Sequence, residues 1–319
     1  MNNKFFSINL NFDSLGEAYG WPKSFIDDKT FTNGLTRILD ISKKYEIPIS
    51  FFIIGKDLEN KKNFEIIKML SDNELIEIGN HSYSHLFNFG SASEKIVYDE
   101  IYKSHEIIYK CTGYEPKGFI APTWSISKNV IKSLINLNYE YDTSFFQSIV
   151  LYPAVLKIFT SHLLKRKYLK AFQILNRRDY LNLFKFNSEP FYLDSDMRQV
   201  SEKNQNSILE FPMPTINWLK PPIWHTAGYM LGWDFLKKNL IKILNKKKPF
   251  FYLIHPADIL DNNDLDSRFL NALERMGSIT FKKKIEYLEM VLDLIISNGY
   301  KCIKLIDLAK HLNDENNRN

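Results

Sequence analysis

Apolar and polar positions alternate along the first half of the chain in two distinct rhythms. Residues 5–12 alternate in the way of a β-strand, and residues 48–54 form a continuous apolar run typical of a buried strand. Residues 31–45 and 61–70 repeat apolar side chains at helical spacing. This order of strand, helix, strand and helix is typical of a parallel sheet.

The same alternation continues through the rest of the chain. It predicts further strands at residues 75–79, 118–122, 139–142, 208–211, 250–254 and 302–305, and further helices at residues 94–109, 128–137, after Trp233 and at 284–297. Repeated strand–helix units predict an α/β fold whose parallel sheet is open or closed into a barrel. A chain of 319 residues is long enough for one such unit, so we predict a single domain over residues 1–319, with a frayed polar tail at 313–319.

One segment, residues 150–205, interrupts the repeat and is predicted to be a helical insertion. Between residues 156 and 185 the sequence has eight Lys or Arg residues and a single acid, Asp179. Apolar residues are interleaved with the basic ones. Such a basic amphipathic segment suits an anionic membrane surface or a phosphate-bearing substrate, and the simpler alternative is a solvated hairpin that caps the barrel. We therefore expect a peripheral membrane contact at most, and no nucleic-acid binding, because no recognition motif accompanies the basic residues.

Composition sets the broad class of protein. Hydrophobic residues make up 45% of the chain, charged residues 25%, and the net charge is +5, all ordinary for a globular domain. No run of about 18 apolar residues occurs, and residues 1–8 lack the pattern of a secretory signal. Cys111 and Cys302 lack C-x-x-C spacing, so we interpret both as buried thiols. We expect a cytoplasmic protein, at the inner face of the membrane if residues 156–185 bind lipid.

The candidate chemistry lies at the predicted strand ends. His81 and His85 follow the strand at 75–79, and if their segment opens a helix, one turn separates the rings and both can bind one cation. Asp13, Asp142 and His255 follow other predicted strands in the same way. Because the carboxyl ends of parallel strands open on one face of a β/α barrel, we expect these residues to converge there. This convergence argues for an enzyme.

The motifs at these strand ends resemble those of the polysaccharide deacetylase family, the NodB-homology group of carbohydrate esterase family 4. The matching segments, in the family's order, are Asn11-Phe12-Asp13-Ser14 for T-F-D-D, His81-Ser82-Tyr83-Ser84-His85 for H-[ST]-x-x-H, Gly118-Phe119-Ile120-Ala121-Pro122 for the R-x-P strand, Tyr141-Asp142-Thr143-Ser144 for Y-D-S-S, and Leu253-Ile254-His255-Pro256 for the late L-H-P motif. The resemblance covers roughly residues 5–305 outside the insertion.

The resemblance implies a distorted (β/α) barrel that removes an acetyl group from an N-acetylated sugar with a divalent metal, expected to be zinc. It implies Asp13 as the base, His255 as the acid, and His81 and His85 as metal ligands beside a second Asp. Because that second Asp is absent here, Asp13 itself is a candidate for the third ligand. These roles suit the chemistry, because amide hydrolysis needs a polarised carbonyl, an activated water and a proton donor. We expect the substrate to be the amino sugar of a surface glycan or of a lipid-linked saccharide, as in lipopolysaccharide or capsule biosynthesis.

Two positions depart from the family's pattern. Ser14 stands where the family has its metal-binding second Asp, and Ile120 stands where it has the arginine that pairs with the catalytic Asp. Glu17 is a candidate for the missing carboxylate, or an ordinary exposed acid. Without the arginine, we expect Asp13 to keep a higher pKa. Two alternatives therefore stay open: a metal-independent amidohydrolase acting on a formamide or small nitrogenous compound, and a catalytically silent saccharide-binding protein.

Aromatic residues are candidates for sugar binding. Trp124, Trp224 and Tyr229 lie in segments that we interpret as loops after predicted strands, and a flat aromatic face can stack on a pyranose ring. His225 lies in a segment similar to a substrate loop of the family and is a further candidate for substrate contact. The alternative for each is a role in packing the core or anchoring a loop.

Overall fold

The structure is a computed structural model that describes residues 4–18, 28–148, 160, 186, 188–216, 220–265 and 277–316. Its strands are β1 (Phe5–Phe12), β2 (Ile49–Ile53), β3 (Ile76–Asn80), β4 (Gly118–Phe119), β5 (Tyr141–Asp142), β6 (Phe191–Asp194), β7 (Gln199–Val200), β8 (Ser207–Glu210), β9 (Phe250–Ile254) and β10 (Lys301–Cys302). Its α-helices are α1 (Leu35–Tyr45), α2 (Lys61–Ser71), α3 (Glu94–Thr112), α4 (Lys128–Asn136), α5 (His225–Leu231), α6 (Trp233–Asn245), α7 (Phe281–Ser297) and α8 (Leu305–Asn316).

The strands form one curled sheet in which most neighbours run parallel. β1 pairs in parallel with β2, β9 and β10, and the parallel series continues from β2 through β3, β4 and β5 to β8. β6 and β7 extend the sheet with antiparallel pairings beyond β8. The sheet curls into a half-barrel, and this confirms the predicted α/β fold of the distorted (β/α) barrel type.

Both faces of β1 are buried, and their chemistry differs. The even-numbered residues from Phe6 to Phe12 belong to the apolar core shared with the outer helices. Ser7, Asn9 and Asn11 lie on the other face, where Asn9 Nδ2 donates to Thr143 Oγ1 at 3.2 Å. Because period-two alternation assigns each side chain to one face, the register of β1 is fixed by its sequence. The strand therefore delivers the residue after Phe12 to a defined point at the sheet edge.

The carboxyl-terminal part of the chain differs from the prediction. The last strand ends at Cys302, and Leu305–Asn316 forms helix α8, which includes positions that we predicted to be frayed. Leu305, Leu308 and Ala309 recur at helical spacing and pack in an apolar cluster with Phe251 of β9. This buried stripe explains why the segment is helical.

The predicted basic helical insertion lies largely outside the described residues, because 149–159, 161–185 and 187 are not among them. The described end of that segment is strand, not helix: β6 pairs with β8, and β7 pairs with β6. Phe191 is buried and its ring packs on Phe145 and Phe186, which ties β6 to the core. Among the helices that the structure describes, none is long and apolar enough to cross a membrane.

Candidate active site

Asp13 and two histidines meet at the carboxyl ends of β1 and β3. Oδ1 of Asp13 lies 3.1 Å from Nε2 of His81 and 3.7 Å from Nε2 of His85. One ligand atom from each of the three residues lies within 4.8 Å of the others. The structure thus brings together the three side chains that were predicted as candidate metal ligands.

The two histidines lie in a loop, so the prediction that their segment opens a helix is wrong. Ser82 and His85 have left-handed φ angles of 62° and 52°, which an α-helix does not allow. The carbonyl of Ser82 accepts from Gly55 N at 2.9 Å, and Ser82 Oγ accepts from His85 N at 3.2 Å. The rings approach because the loop turns back on itself and not because one helical turn separates them.

Asn80, the last residue of β3, anchors this loop and was not identified from the sequence. Its side chain is fully buried: Nδ2 donates to Tyr139 Oη at 2.7 Å and to Ile101 O at 3.1 Å, while Oδ1 accepts from Ser82 N at 2.8 Å. Tyr139 Oη also lies 3.2 Å from Nδ1 of His105 in α3. Helix α3 is therefore connected by hydrogen bonds to the residue beside His81.

The contacts of His81 suit a bound cation. Its Nδ1 lies 2.8 Å from the carbonyl oxygen of Ile120, which can only accept, so Nδ1 carries the hydrogen. In the neutral ring Nε2 is then an acceptor, and it faces the acceptor oxygen of Asp13. A shared cation turns this repulsive contact into a stabilising one. Two histidine nitrogens and a carboxylate oxygen are a ligand set that zinc accepts, so the residues present fit a divalent metal held by Asp13, His81 and His85.

Charges in the cluster set the pKa values of its groups. Burial raises the pKa of Asp13, but the hydrogen bond with His81 and the charges of His85, His81 and His255 outweigh it, and the pKa lies below its ordinary value. The expectation of a higher pKa for Asp13 is therefore wrong, because its interactions with the neighbouring histidines outweigh burial even without the arginine. Burial is also the main cause that lowers the pKa of His85 to about 4, which favours the neutral, metal-binding ring.

Ser14 does not replace the family's second Asp as a ligand. Its hydroxyl donates to Oδ1 of Asp57 at 3.0 Å and accepts from the backbone N of Glu17 at 3.1 Å. Glu17 in turn pairs through Oε2 with Lys56 Nζ at 2.9 Å. Neither Ser14 nor Glu17 belongs to the group of close ligand atoms found among the described residues. The carboxylate next to Ser14 is that of Asp57, a buried residue after β2.

Ile120 contributes to the site through its backbone. Its side chain is fully buried in an apolar cluster with Tyr141 and Phe211, on the inner face of the sheet. Its carbonyl oxygen is the acceptor that fixes the ring of His81. An apolar residue at this position is therefore compatible with the packing.

His255, after β9, is paired with an acid that the sequence analysis did not single out. Oδ2 of Asp258 accepts from the backbone N of His255 at 2.8 Å and lies 3.7 Å from its Nδ1, while Thr226 Oγ1 donates to the other oxygen at 3.0 Å. Burial lowers the pKa of His255, but the hydrogen bond with Asp258 and the charges of Asp13 and Asp258 outweigh it and raise the pKa. Nδ1 of His255 faces Asp258, so Nε2 points away from that carboxylate.

Two of the predicted aromatic residues lie beside His255. The ring centroid of Trp124 is 6.2 Å from that of His255, and the centroid of Trp224 is 5.7 Å from it. Phe146, which the sequence analysis did not identify, stacks on Trp124 at 4.9 Å. Within the described residues both indole Nε1 atoms are buried without a hydrogen-bond partner. The three rings form an apolar wall next to the candidate acid.

His225 and Tyr229 do not lie in a loop, because both belong to helix α5. His225 is fully buried, and its Nδ1 lies 3.1 Å from Tyr252 Oη inside the core, so the structure contradicts a direct substrate contact. Tyr229 is half-buried, and its hydroxyl donates to the carbonyl of Asp258 at 2.9 Å. Through these contacts, His225 and Tyr229 support the segment that carries His255.

A curled parallel sheet that presents an Asp-His-His cluster and a His–Asp pair at its strand ends defines an α/β protein of the NodB-homology type. The polysaccharide deacetylase family model matches residues 7–141. Over this segment the chain is similar to the polysaccharide deacetylase family.

Known proteins agree with this assignment. The chain is 35% identical over 111 residues to a peptidoglycan deacetylase of Helicobacter pylori, and 34% identical over 103 residues to a peptidoglycan-N-acetylglucosamine deacetylase of Bacillus cereus. These matches span 35% and 32% of the chain, and 36% of each relative, so the chain matches about a third of the length of either. A crystal structure of a putative polysaccharide deacetylase from Mycobacterium smegmatis shares the fold with a TM-score of 0.62 at 14% identity, covering 99% of this chain and 92% of its own.

Proposed function

We propose that this protein is a metal-dependent hydrolase that removes an N-acetyl group from an amino sugar. The observation that carries the proposal is the convergence of Asp13, His81 and His85 at the strand ends, with the His255–Asp258 pair beside the same carboxylate. The match of the polysaccharide deacetylase family model over residues 7–141 supports the same reaction class.

Each residue has a role in this proposal. A divalent metal, when bound, would polarise the acetamide carbonyl and lower the pKa of a bound water. Asp13 has two carboxylate oxygens, so one can ligate the metal while the other accepts a proton from the attacking water. His255 donates a proton to the departing nitrogen, and Asp258 keeps its ring oriented and charged. Trp124 and Trp224 bind the sugar with their ring faces.

The substrate that we propose is the N-acetylated sugar of a surface glycan or of its lipid-linked precursor. The two relatives are named for activity on peptidoglycan, which is a glycan of this class. The basic, apolar-rich stretch at residues 156–185 supports an encounter at an anionic membrane surface, on the cytoplasmic side if the precursor is assembled there. Zinc is the metal that we propose, on the basis of the two histidine ligands.

Acetate release with metal analysis tests the proposal. Purified protein should bind about one divalent ion per chain and release acetate from chitooligosaccharides or peptidoglycan fragments. The His81→Ala, His85→Ala double variant should lose both properties. Asp13→Asn and His255→Ala should each lower turnover by about a hundredfold or more while the fold remains intact.

Other results would favour the alternatives. A protein without metal that hydrolyses formamides or small nitrogenous amides would support a metal-independent amidohydrolase. A protein that binds N-acetylated oligosaccharides and releases no acetate with any divalent metal would support a silent saccharide-binding protein. Near-normal turnover in Asp13→Asn or in His255→Ala would contradict the proposed acid–base roles.

A further inference from the structure

The turn after His255 is held by side chains from three helices. We call residues 255–260 the acid loop. Its four successive carbonyls from Ala257 to Leu260 all accept side-chain hydrogen bonds: Ala257 O from Lys284 Nζ (2.9 Å), Asp258 O from Tyr229 Oη (2.9 Å), Ile259 O from Arg37 Nη1 (2.9 Å) and Leu260 O from Lys284 Nζ. Residues 256–260 are buried, so their carbonyls need partners inside the protein, and side-chain donors supply four of them in a row.

Lys284 is the centre of this support. It lies in the first turn of α7, and its side chain is 0% exposed, although a lysine is almost never buried unless its charge is compensated. Burial lowers the pKa of Lys284 to about 8, and the charges of Asp258, Asp261 and Asp264 oppose this shift. An apolar residue would fill the same space without burying a charge, but it would leave the carbonyls of Ala257 and Leu260 without their donor. A buried ammonium at this position therefore indicates a role that packing does not explain.

The position of Lys284 connects it to the acid. Its two acceptors, Ala257 and Leu260, lie on both sides of Asp258, the residue whose carboxylate faces His255. Tyr229 fixes the carbonyl of Asp258 itself, and Lys284 Nζ lies 5.5 Å from the centroid of the Tyr229 ring. A displacement of the acid loop would therefore change where His255 points, without changing the Asp13 side of the site.

We propose that Lys284 is a positioning residue that holds the acid loop so that His255 can protonate the departing nitrogen. This rests on the proposed function, because it requires His255 to act as the acid. In that reaction water adds to the acetyl carbonyl, the C–N bond breaks with its electron pair on nitrogen, and His255 gives nitrogen a proton, which leaves acetate and a free amine. An amide nitrogen needs this proton, whereas the phenolate oxygen of an aryl acetate leaves without it.

The test compares an amide with an aryl ester in the full-length protein. Lys284→Met keeps an unbranched side chain, one atom shorter than lysine, and removes the donor. With N-acetylated chitooligosaccharide as substrate, we expect kcat to fall by roughly 10- to 100-fold and KM to change by less than about threefold. With 4-nitrophenyl acetate, the rate should stay within about threefold of the wild type, because the leaving group needs no acid. Lys282→Met, an exposed change on the same helix, serves as the control.

Two further variants keep the inference falsifiable. The Lys284→Met, His255→Ala double variant should be no slower on the amide than His255→Ala alone, because Lys284 acts through that ring. Tyr229→Phe removes a single donor to the acid loop and should show the same preference for the ester with a smaller loss, about fivefold. If Lys284→Met does not fold, the amide and ester rates of Tyr229→Phe decide whether the acid loop is held for the proton transfer.

The outcomes separate this inference from the proposed function. A wild type that hydrolyses the aryl ester but never the amide overturns the proposed function. A wild type active on both substrates, with Lys284→Met and Tyr229→Phe unchanged or equally impaired on both, overturns only the role of Lys284. Additive losses in the double variant would also contradict it.

Discussion

The Nε2 atom of His81 lies 3.1 Å from Oδ1 of Asp13, while the opposite ring nitrogen is bound to a backbone carbonyl. Both facing atoms are acceptors when the ring is neutral, so a proton or a shared cation must lie between them for the contact to be favourable. The arrangement proposed for catalysis therefore also links metal binding to the stability of the fold.

Metal removal should destabilise the protein. A ligand that binds the folded state alone adds about 2.7 kcal/mol to the free energy of unfolding when its concentration is 100 times its Kd. Thermal unfolding with excess zinc and with a chelator should therefore differ by several degrees, and His81→Ala should abolish the difference. Equal melting temperatures of the wild type with and without metal would contradict a metal shared by Asp13, His81 and His85.

Restoring the family's second Asp at position 14 should not restore a ligand. The hydroxyl of Ser14 donates to Asp57 at 3.0 Å, and both residues are buried. Ser14→Asp places two carboxylates together, so we expect a loss of about 3 kcal/mol in urea unfolding at neutral pH.

A second substitution gives the matched comparison. The Ser14→Asp, Asp57→Ser double variant exchanges the two groups and should recover most of the lost stability, with metal affinity at least equal to the wild type. A single Ser14→Asp variant that is as stable as the wild type and binds metal more tightly would show that the pairing with Asp57 is unimportant.

Asp258 should set the alkaline limit of activity. Burial opposes protonation of His255, but the hydrogen bond with Asp258 and the charges of Asp13 and Asp258 raise its pKa, so the ring stays protonated to a higher pH. An acid acts only while protonated, and activity is lost as the pH rises through that pKa. Asp258→Asn removes one cause of the increase, so the descending limb of the kcat profile should move to lower pH. An unchanged descending limb would show that Asp258 does not influence the pKa of the acid, His255.

The sequence predicted most strands and helices because their side chains follow a simple period. In β1, the alternation from Phe5 to Phe12 matches two buried faces, and the residue that follows, Asp13, is delivered to the sheet edge as expected. The convergence of Asp13 with the two histidines follows from parallel strands ending at one edge. These features depend on patterns within a few residues of each other.

Other parts of the site depend on contacts between distant residues, which a single sequence does not reveal. The histidine spacing suits a helix as well as a loop, and the loop is chosen by left-handed Ser82 and His85 with support from Asn80. Likewise, the apolar positions near His225 fit a loop or a helix, and only burial against Tyr252 decides between them.

A buried pair of acids on β5 and β8 should make the stability of the protein depend on pH. Asp142 and Glu210 face each other across β5 and β8, both fully buried, and Glu210 Oε1 accepts from the backbone N of Phe145 at 2.9 Å. Burial raises the pKa of Asp142 to about 6, and burial with the charge of Asp142 raises the pKa of Glu210 well above its usual range. The folded state therefore keeps protons that the unfolded chain has already released.

The sign of the effect follows from this difference. Stability is greatest below the unfolded pKa values near 4 and falls as the pH rises through about 6 and beyond, because the unfolded state binds fewer protons there. Glu210→Gln keeps the acceptor for Phe145 and gives Asp142 a neutral donor. Its free energy of unfolding in urea should fall less than that of the wild type between about pH 5 and about pH 8, whereas the exposed Glu189→Gln should follow the wild type. If the free energy of unfolding changed equally with pH in all three proteins, the two acids would not be responsible for the pH dependence.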